Sequence, residues 1–429
     1  MTPARAAELA ALDKRHLWHP FTPMRDWCAP GYEPLILVSG QGATLRDSAG
    51  HDYIDGNSSI WTNIHGHGTP LINRAIRAQL DQVAHTSFLG FTNPPANELA
   101  QELVKIAAPD ALTRVFFSDD GSTAIEVAIK MALQYFRIIG HPERVRFAAF
   151  ENGYHGDTLG AASLGGIRLF QGAFARHPFP VEHVSSVAGL DALPEPGTIA
   201  AVVIEPLIQG AAGMRPWPAG LLAAVRRWCS ARGVLLIADE VMTGFGRTGT
   251  MFAFHQEEAV PDFLALAKGL TGGFMPLAAT LATESIFEAF HGETLYYGHS
   301  YCGNQLGCAA ALASLRVFDE ENVLAHLQPK IALLTLHLDR LRANPRVREI
   351  RQCGFIAGIE LGAPGGAPLD PLQRTGARVC LAARRHGLLT RPILDTLVLM
   401  PPLCISSEQI EHACRAVELA IADALPQPS

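Results

Sequence analysis

The chain has little of what several protein classes require. No apolar run reaches the ~20 residues of a membrane span before a charge or glycine interrupts it. Basic residues are outnumbered, 34 against 41 acidic ones, so the formal net charge is −7 and no basic stripe is available to neutralise nucleic-acid phosphates. Eight cysteines, at positions 28, 229, 302, 308, 353, 380, 404 and 414, include no Cys-x-x-Cys pair. That removes the usual zinc spacing, and a disulfide framework is not expected in so long a chain, so the natural compartment is a reducing cytoplasm. There is no Gly-x-x-x-x-Gly-Lys-Ser/Thr loop, which sets aside the P-loop nucleotide binders. Low-complexity tracts are missing too: 39 glycines and 29 prolines are scattered as turn markers. The segment Met1 to Leu12 has Arg5 and Glu8 but no compact apolar core, and is expected to be a short helix and not a signal peptide.

What is present is an ordinary globular composition, 48% hydrophobic and 17% charged over 429 residues, enough for one large domain and a smaller one. Residues 1–60 contain short extended pieces among glycines and are expected to form a small antiparallel meander. From residue 61 to 318, unalternating apolar runs (Arg114 to Phe117, Arg146 to Phe150, Ala200 to Ile204, Val234 to Ala238, Phe263 to Ala267) are separated by helical patterns. Such runs predict a mostly parallel sheet covered on both faces, the doubly wound α/β arrangement. Residues 319–429 predict a helix, strands near Gly354 to Leu361 and Leu397 to Met400, and a closing helix from Ser407 to Ala424. The two chain ends are expected to build a small α+β domain together.

Ligands of open parallel sheets gather at the carboxyl ends of the strands. Three such ends carry chemistry here: Glu205 after one run, Asp239 after a second and Lys268 after a third. An acid facing a ring nitrogen and a lysine facing an aldehyde together describe a site for pyridoxal 5′-phosphate. Either residue alone is commonplace, since aspartates cap turns and lysines sit on surfaces; the pair, with Gly269, Thr271, Gly272 and Gly273 packed behind the lysine, is not. Asp120-Gly121-Ser122-Thr123 lies between a strand and a helix and is a candidate phosphate cradle. Tyr154, in Gly153-Tyr-His-Gly156, could stack on a flat ring. The pair His65 and His67 lacks a third ligand in a recognisable position, so no metal site is expected.

With these residues in view, Asp239-Glu-Val-Met-Thr-Gly-Phe-Gly-Arg-Thr-Gly249 and Lys268-Gly-Leu-Thr-Gly-Gly273 resemble the cofactor signature of the class III (fold type I) aminotransferases, and the likeness covers nearly the whole chain. The resemblance implies the fold type I architecture of pyridoxal-phosphate-dependent transferases, and a homodimer with active sites at the subunit interface. It implies that Lys268 carries the cofactor, Asp239 partners its ring nitrogen, Val241 and Tyr154 cover the ring faces, and Gly121 and Ser122 hold the phosphate with Ser300 of a second copy. Leu17-Trp-His-Pro-Phe-Thr-Pro-Met24, Asn152-Gly-Tyr-His-Gly-Asp-Thr158, Gln209-Gly-Ala-Ala-Gly-Met-Arg215 and Met400-Pro-Pro402 resemble the biotin-pathway branch of that family. This narrower likeness implies a small-molecule amino donor, S-adenosylmethionine or lysine, and a keto-acid acceptor, 8-amino-7-oxononanoate. Arg391 matches the arginine that holds the acceptor's far carboxylate, and Trp61, Phe21, Tyr154 and Arg247 are the other substrate candidates. Phe21 stands where tyrosine is common, and Ile60 precedes Trp61 where a tryptophan pair is common. An ω-aminotransferase for an ornithine- or γ-aminobutyrate-like donor remains the alternative.

Overall fold

The computed structural model describes residues 1–167, 178–363 and 365–425. After a helix over Pro3–His16, β1 (Leu37–Gln41), β2 (Thr44–Asp47) and β3 (Asp52–Asp55) form the expected antiparallel meander. The chain then supplies β4 (Leu112–Ser118), β5 (Arg146–Phe150), β6 (Val181–Val184) and β7 (Ile199–Ile204). A short ribbon of β8 (Ile208–Gln209) and β9 (Arg215–Pro216) precedes β10 (Leu235–Asp239), β11 (Phe263–Leu266) and β12 (Ala278–Thr283). The central sheet runs β4–β12–β11–β10–β7–β5–β6.

All of its pairings are parallel except those of β12, which is antiparallel to both neighbours. The apolar runs were read as parallel strands, and β12 was not read at all. Ala278-Ala-Thr-Leu-Ala-Thr283 has only one large aliphatic residue, and burial between two strands makes it a strand where propensity does not.

Alternate residues of the middle strands enter different cores. Val202, Ile204, Leu236, Ala238, Leu264 and Leu266 face one way, and Ala201, Val203, Leu235, Ile237, Phe263 and Ala265 the other. The helix Gly121–Ile138 covers the second face with Ile125, Ala128, Ile129, Ala132 and Phe136. Because both faces are covered, only the strand ends remain for ligands.

Near the carboxyl terminus, β13 (Val347–Cys353), β14 (Ile356–Leu361), β16 (Pro392–Ile393) and β17 (Thr396–Leu399) form a second antiparallel sheet in the order β13–β14–β17–β16. β15 (Leu388–Leu389) leaves that region and pairs in parallel with β3, so the two ends of the chain share a sheet. No helix among the described residues is long and apolar enough to cross a membrane.

The closing helix Ser407–Ala424 starts at a reciprocal cap: Ser406 Oγ accepts the Gln409 N–H at 3.2 Å, and Gln409 Oε1 accepts the Ser406 N–H at 3.0 Å. Ser406→Ala is expected to cost about 1 kcal/mol. Urea denaturation should show a lower midpoint at an unchanged slope.

Candidate active site

Five loops leave the carboxyl ends of parallel strands and meet at a cavity of about 440 Å³. From β4 come Asp119, Asp120, Gly121 and Ser122; from β5, Tyr154, His155 and Gly156; from β7, Glu205; from β10, Asp239, Val241 and Met242; from β11, Ala267 and Lys268. Trp61 and the segment from Gly273 to Leu277 complete the wall.

The first loop is built to receive an anion. Asp120 Oδ1 accepts the Thr123 N–H at 2.9 Å, and Thr123 Oγ1 accepts the Asp120 N–H at 3.0 Å. This cap occupies the third N–H of the helix, while among the described residues no acceptor meets those of Gly121 and Ser122. Helix N-termini of this form favour phosphate. Gly121 is required by space: a Cβ there would come within 2.6 Å of Val241 Cγ1.

Asp239 ends β10 with 5% exposure, and its charge is satisfied locally. Its Oδ1 accepts the Val241 N–H at 3.1 Å, and its Oδ2 lies 2.7 Å from His155 Nδ1. Burial pushes the His155 imidazole down, but the hydrogen bond and charge of Asp239, with that of Glu205, outweigh it, so the ring is held above its ordinary pKa. Glu205 Oε1 accepts the Tyr154 N–H at 3.0 Å and Oε2 the Gly210 N–H at 2.7 Å. Burial raises the Glu205 carboxyl from 4.5 to about 7 against the opposing pull of His155 and those two donors.

Lys268 follows β11 at φ 41°, and its Nζ lies 4.9 Å from the centroid of the Trp61 ring. Burial lowers its pKa, and Asp239 and Glu205 offset part of that loss. The amine is therefore easier to deprotonate than a surface lysine, as a nucleophile or proton carrier must be. Tyr154 donates its hydroxyl to Asp157 Oδ2 at 2.7 Å, and burial raises its pKa further from the neutral range.

Of the residues expected from sequence, Gly121, Ser122, Tyr154, Asp239, Val241, Lys268 and Trp61 all line this cavity. Phe21, Arg391 and Ser300 do not; all three are exposed, and the Arg391 guanidinium lies 5.9 Å from the Phe21 ring centroid. Arg247 does not line the cavity either: it is completely buried and donates to Pro401 O and Asn63 O, both at 2.8 Å, bracing three loops. Glu205 was singled out as an acid directly after an unbroken apolar run but given no role, and His155 was missed, since nothing local tells that it meets a residue 84 positions away.

A family model described as aminotransferase class-III matches residues 28–421. The adenosylmethionine-8-amino-7-oxononanoate aminotransferase of Geobacter sulfurreducens is 45% identical, over 95% of this chain and 96% of that protein. The crystal structure of the enzyme of the same name from Methanocaldococcus jannaschii superposes with a TM-score of 0.94 at 41% identity, covering 97% of this chain and 99% of that one. A thermostable (S)-enantioselective omega-transaminase from Thermomicrobium roseum superposes with a TM-score of 0.93 at 32% identity, covering 98% and 99%.

The raised carboxyl of Glu205 has a consequence for stability. A folded-state pKa above the unfolded one favours the fold below pH 4.5, and that contribution is lost as pH rises through about 7. Glu205→Gln should therefore flatten the decline between these values, by at most about 1.4 kcal/mol per pH unit. Glu240, which burial also raises to about 7, retains the remaining slope. Urea unfolding of the cofactor-free protein at successive pH values reads this directly; an unaltered slope would contradict it.

Proposed function

The chain belongs to the class-III aminotransferase family, and on that footing we propose that it passes an amino group from S-adenosylmethionine or lysine to 8-amino-7-oxononanoate, giving 7,8-diaminononanoate for biotin synthesis with pyridoxal 5′-phosphate as cofactor. The observation that carries the reading is the pairing of a burial-lowered lysine after β11 with an aspartate held by a histidine at the end of the neighbouring strand β10. The identities with the amino-oxononanoate enzymes, 45% and 41%, favour this substrate over the ω-aminotransferase alternative, to which the Thermomicrobium likeness at 32% lends its support.

The residues fit the cofactor. Gly121 and Ser122 would hold its phosphate at the helix N-terminus, Asp239 its ring nitrogen, Val241 and Tyr154 its two faces, and Lys268 its aldehyde. When bound, the cofactor supplies an electron sink that stabilises negative charge on the substrate's amine-bearing carbon. The protein supplies the rest. His155 holds the Asp239 carboxylate in place, where it would face the ring nitrogen. Lys268 Nζ, made less basic by burial, would carry the proton from the substrate's amine-bearing carbon to the cofactor's aldehyde carbon in the donor half, and in the opposite direction in the acceptor half. Trp61, Met242 and Phe274 line the wall that displaces water from the reacting end.

Arg391, outside the cavity lining, suits the far carboxylate of a nine-carbon acceptor whose reacting ketone lies deep in the cavity. Ser300 would complete the phosphate site of a second copy. Homodimerisation is supported by the exposed large side chains Leu89, Phe91 and Tyr296, the last near Ser300 in the chain. The division into a large domain over residues 61–318 and a small one from 1–60 and 319–429 belongs to the same reading, supported by the β3–β15 pairing. So does a cytoplasmic location, which all eight cysteines being free supports.

Lys268→Ala should reduce turnover about a thousandfold or more while pyridoxal phosphate still binds through its phosphate, as followed by product formation and equilibrium dialysis. Retained turnover would remove Lys268 from its role. Arg391→Ala should weaken acceptor use about tenfold or more and leave the donor half-reaction near its original rate. Equal losses in both halves, measured by single-turnover absorbance, would contradict the carboxylate assignment.

A further inference from the structure

Between β3 and the cavity the backbone takes a path that its residues resist. Ser58, Ser59, Ile60 and Trp61 have φ values of 44°, 49°, 66° and 68°. The left-handed region crowds the Cβ of every L-residue and is normally entered by single glycines or asparagines, not by four successive side-chain-bearing residues. A β-branched residue is the least suited to it, and Ile60 is 43% exposed, so burial of its side chain offers little compensation.

The surroundings hold this turn in place. Asp55, itself 3% exposed, accepts the Ser59 N–H on Oδ1 at 2.9 Å and the Ser59 hydroxyl on Oδ2 at 2.8 Å, and the same Oδ2 meets His67 Nε2 at 2.9 Å. Ser58 Oγ donates to Met400 O at 2.7 Å, tying the turn to the segment after β17. Asn57 Oδ1 accepts the Trp61 indole N–H at 2.8 Å. The outcome is a single placement of the indole, beside Lys268 Nζ and packed with Met242, Ile208 and Met400. Gly210 leaves it room, since a Cβ there would stand 3.4 Å from Trp61 Cζ3 and closer still to Met242.

Strain that persists because its neighbours over-determine it is characteristic of sites where a group must be held still. We propose that the left-handed turn Ser58–Trp61 is a specificity-determining device, in which Asp55 and Asn57 are positioning residues that act through the Trp61 indole to fix the wall beside the reacting amine. With Met242 and Phe274 the indole forms an apolar stretch of the cavity wall, suited to the alkyl chain of an amine whose nitrogen reaches Lys268. This rests on the transaminase reading for its kinetic part, and its structural part stands apart from it.

Two arms test it. In the cofactor-free protein, Ile60→Asn, which places a residue tolerant of positive φ in the turn, should raise the thermal midpoint by about 1–2 °C. An unchanged or lowered midpoint would show that no strain is stored there. In the holoenzyme, Asn57→Ala and Trp61→Phe each remove the indole hydrogen bond. Each should raise KM for lysine or S-adenosylmethionine about tenfold, with kcat changed less than about threefold, and the double variant should be no worse than the poorer single one. Losses that multiply, or a fall confined to kcat, would overturn the positioning role. If the parent enzyme turns over neither donor, the transaminase reading fails, and the midpoint arm still decides whether the turn is strained.

Discussion

The contact on which the site depends is the buried hydrogen bond between His155 Nδ1 and Asp239 Oδ2. A carboxylate placed at the end of a strand buried on both faces is costly unless a partner meets it. His155 is that partner, brought from the loop after β5 across β7. The sheet ladder then acts as a ruler. Ala238 of β10 pairs with Ile204 of β7, and Asp239 with Ala265 of β11, so Glu205 and Lys268 are carried to the same rim as Asp239 by backbone pairing alone. Two acids and one amine are thus brought to one rim by the sheet's register; Asp239 and Glu205 raise the His155 pKa and offset part of what burial does to Lys268.

Around this rim the loops are braced from outside. Arg247 joins the loop after β10 to Asn63 and Pro401, one near the start of the chain and one near its end. Glu240 does similar work one residue beyond Asp239, accepting from Thr243 Oγ1 and from the N–H groups of Ala253 and Phe254, each at 2.8 Å. Buried polar groups satisfied in this way hold loops as rigidly as the strands that carry them.

Much of this was legible in the amino-acid sequence, for identifiable reasons. The middle strands are continuous apolar runs because both faces are covered, so β5, β7, β10 and β11 were read nearly to the residue. For the closing helix either Ser406 or Ser407 suited the cap, and Ser406 fills it. Lys268 and Asp239 stand directly after such runs, where topology delivers them to one edge. What could not be read depends on tertiary placement. β12 has a weak strand pattern, and the helix Gln305–Glu320 is too rich in buried alanine to show a face. His155 acquires its meaning only from a distant aspartate. The bracing bonds of Arg247 to Asn63 and Pro401 join residues far apart in the chain and leave no mark in its own motif. The left-handed turn at Ser58–Trp61 had no sequence signal, because none of its residues favours that backbone.

The account stands or falls on whether one amine and one keto acid exchange nitrogen at this rim. The direct measurement is an absorbance titration of the pyridoxal-phosphate-loaded protein, adding S-adenosylmethionine, lysine and ornithine separately, then 8-amino-7-oxononanoate. The account predicts that the cofactor band falls with S-adenosylmethionine or lysine and returns when the keto acid is added. A band that falls with amines but never returns with that keto acid would contradict the proposed acceptor, and a band that no amine alters would contradict transamination itself.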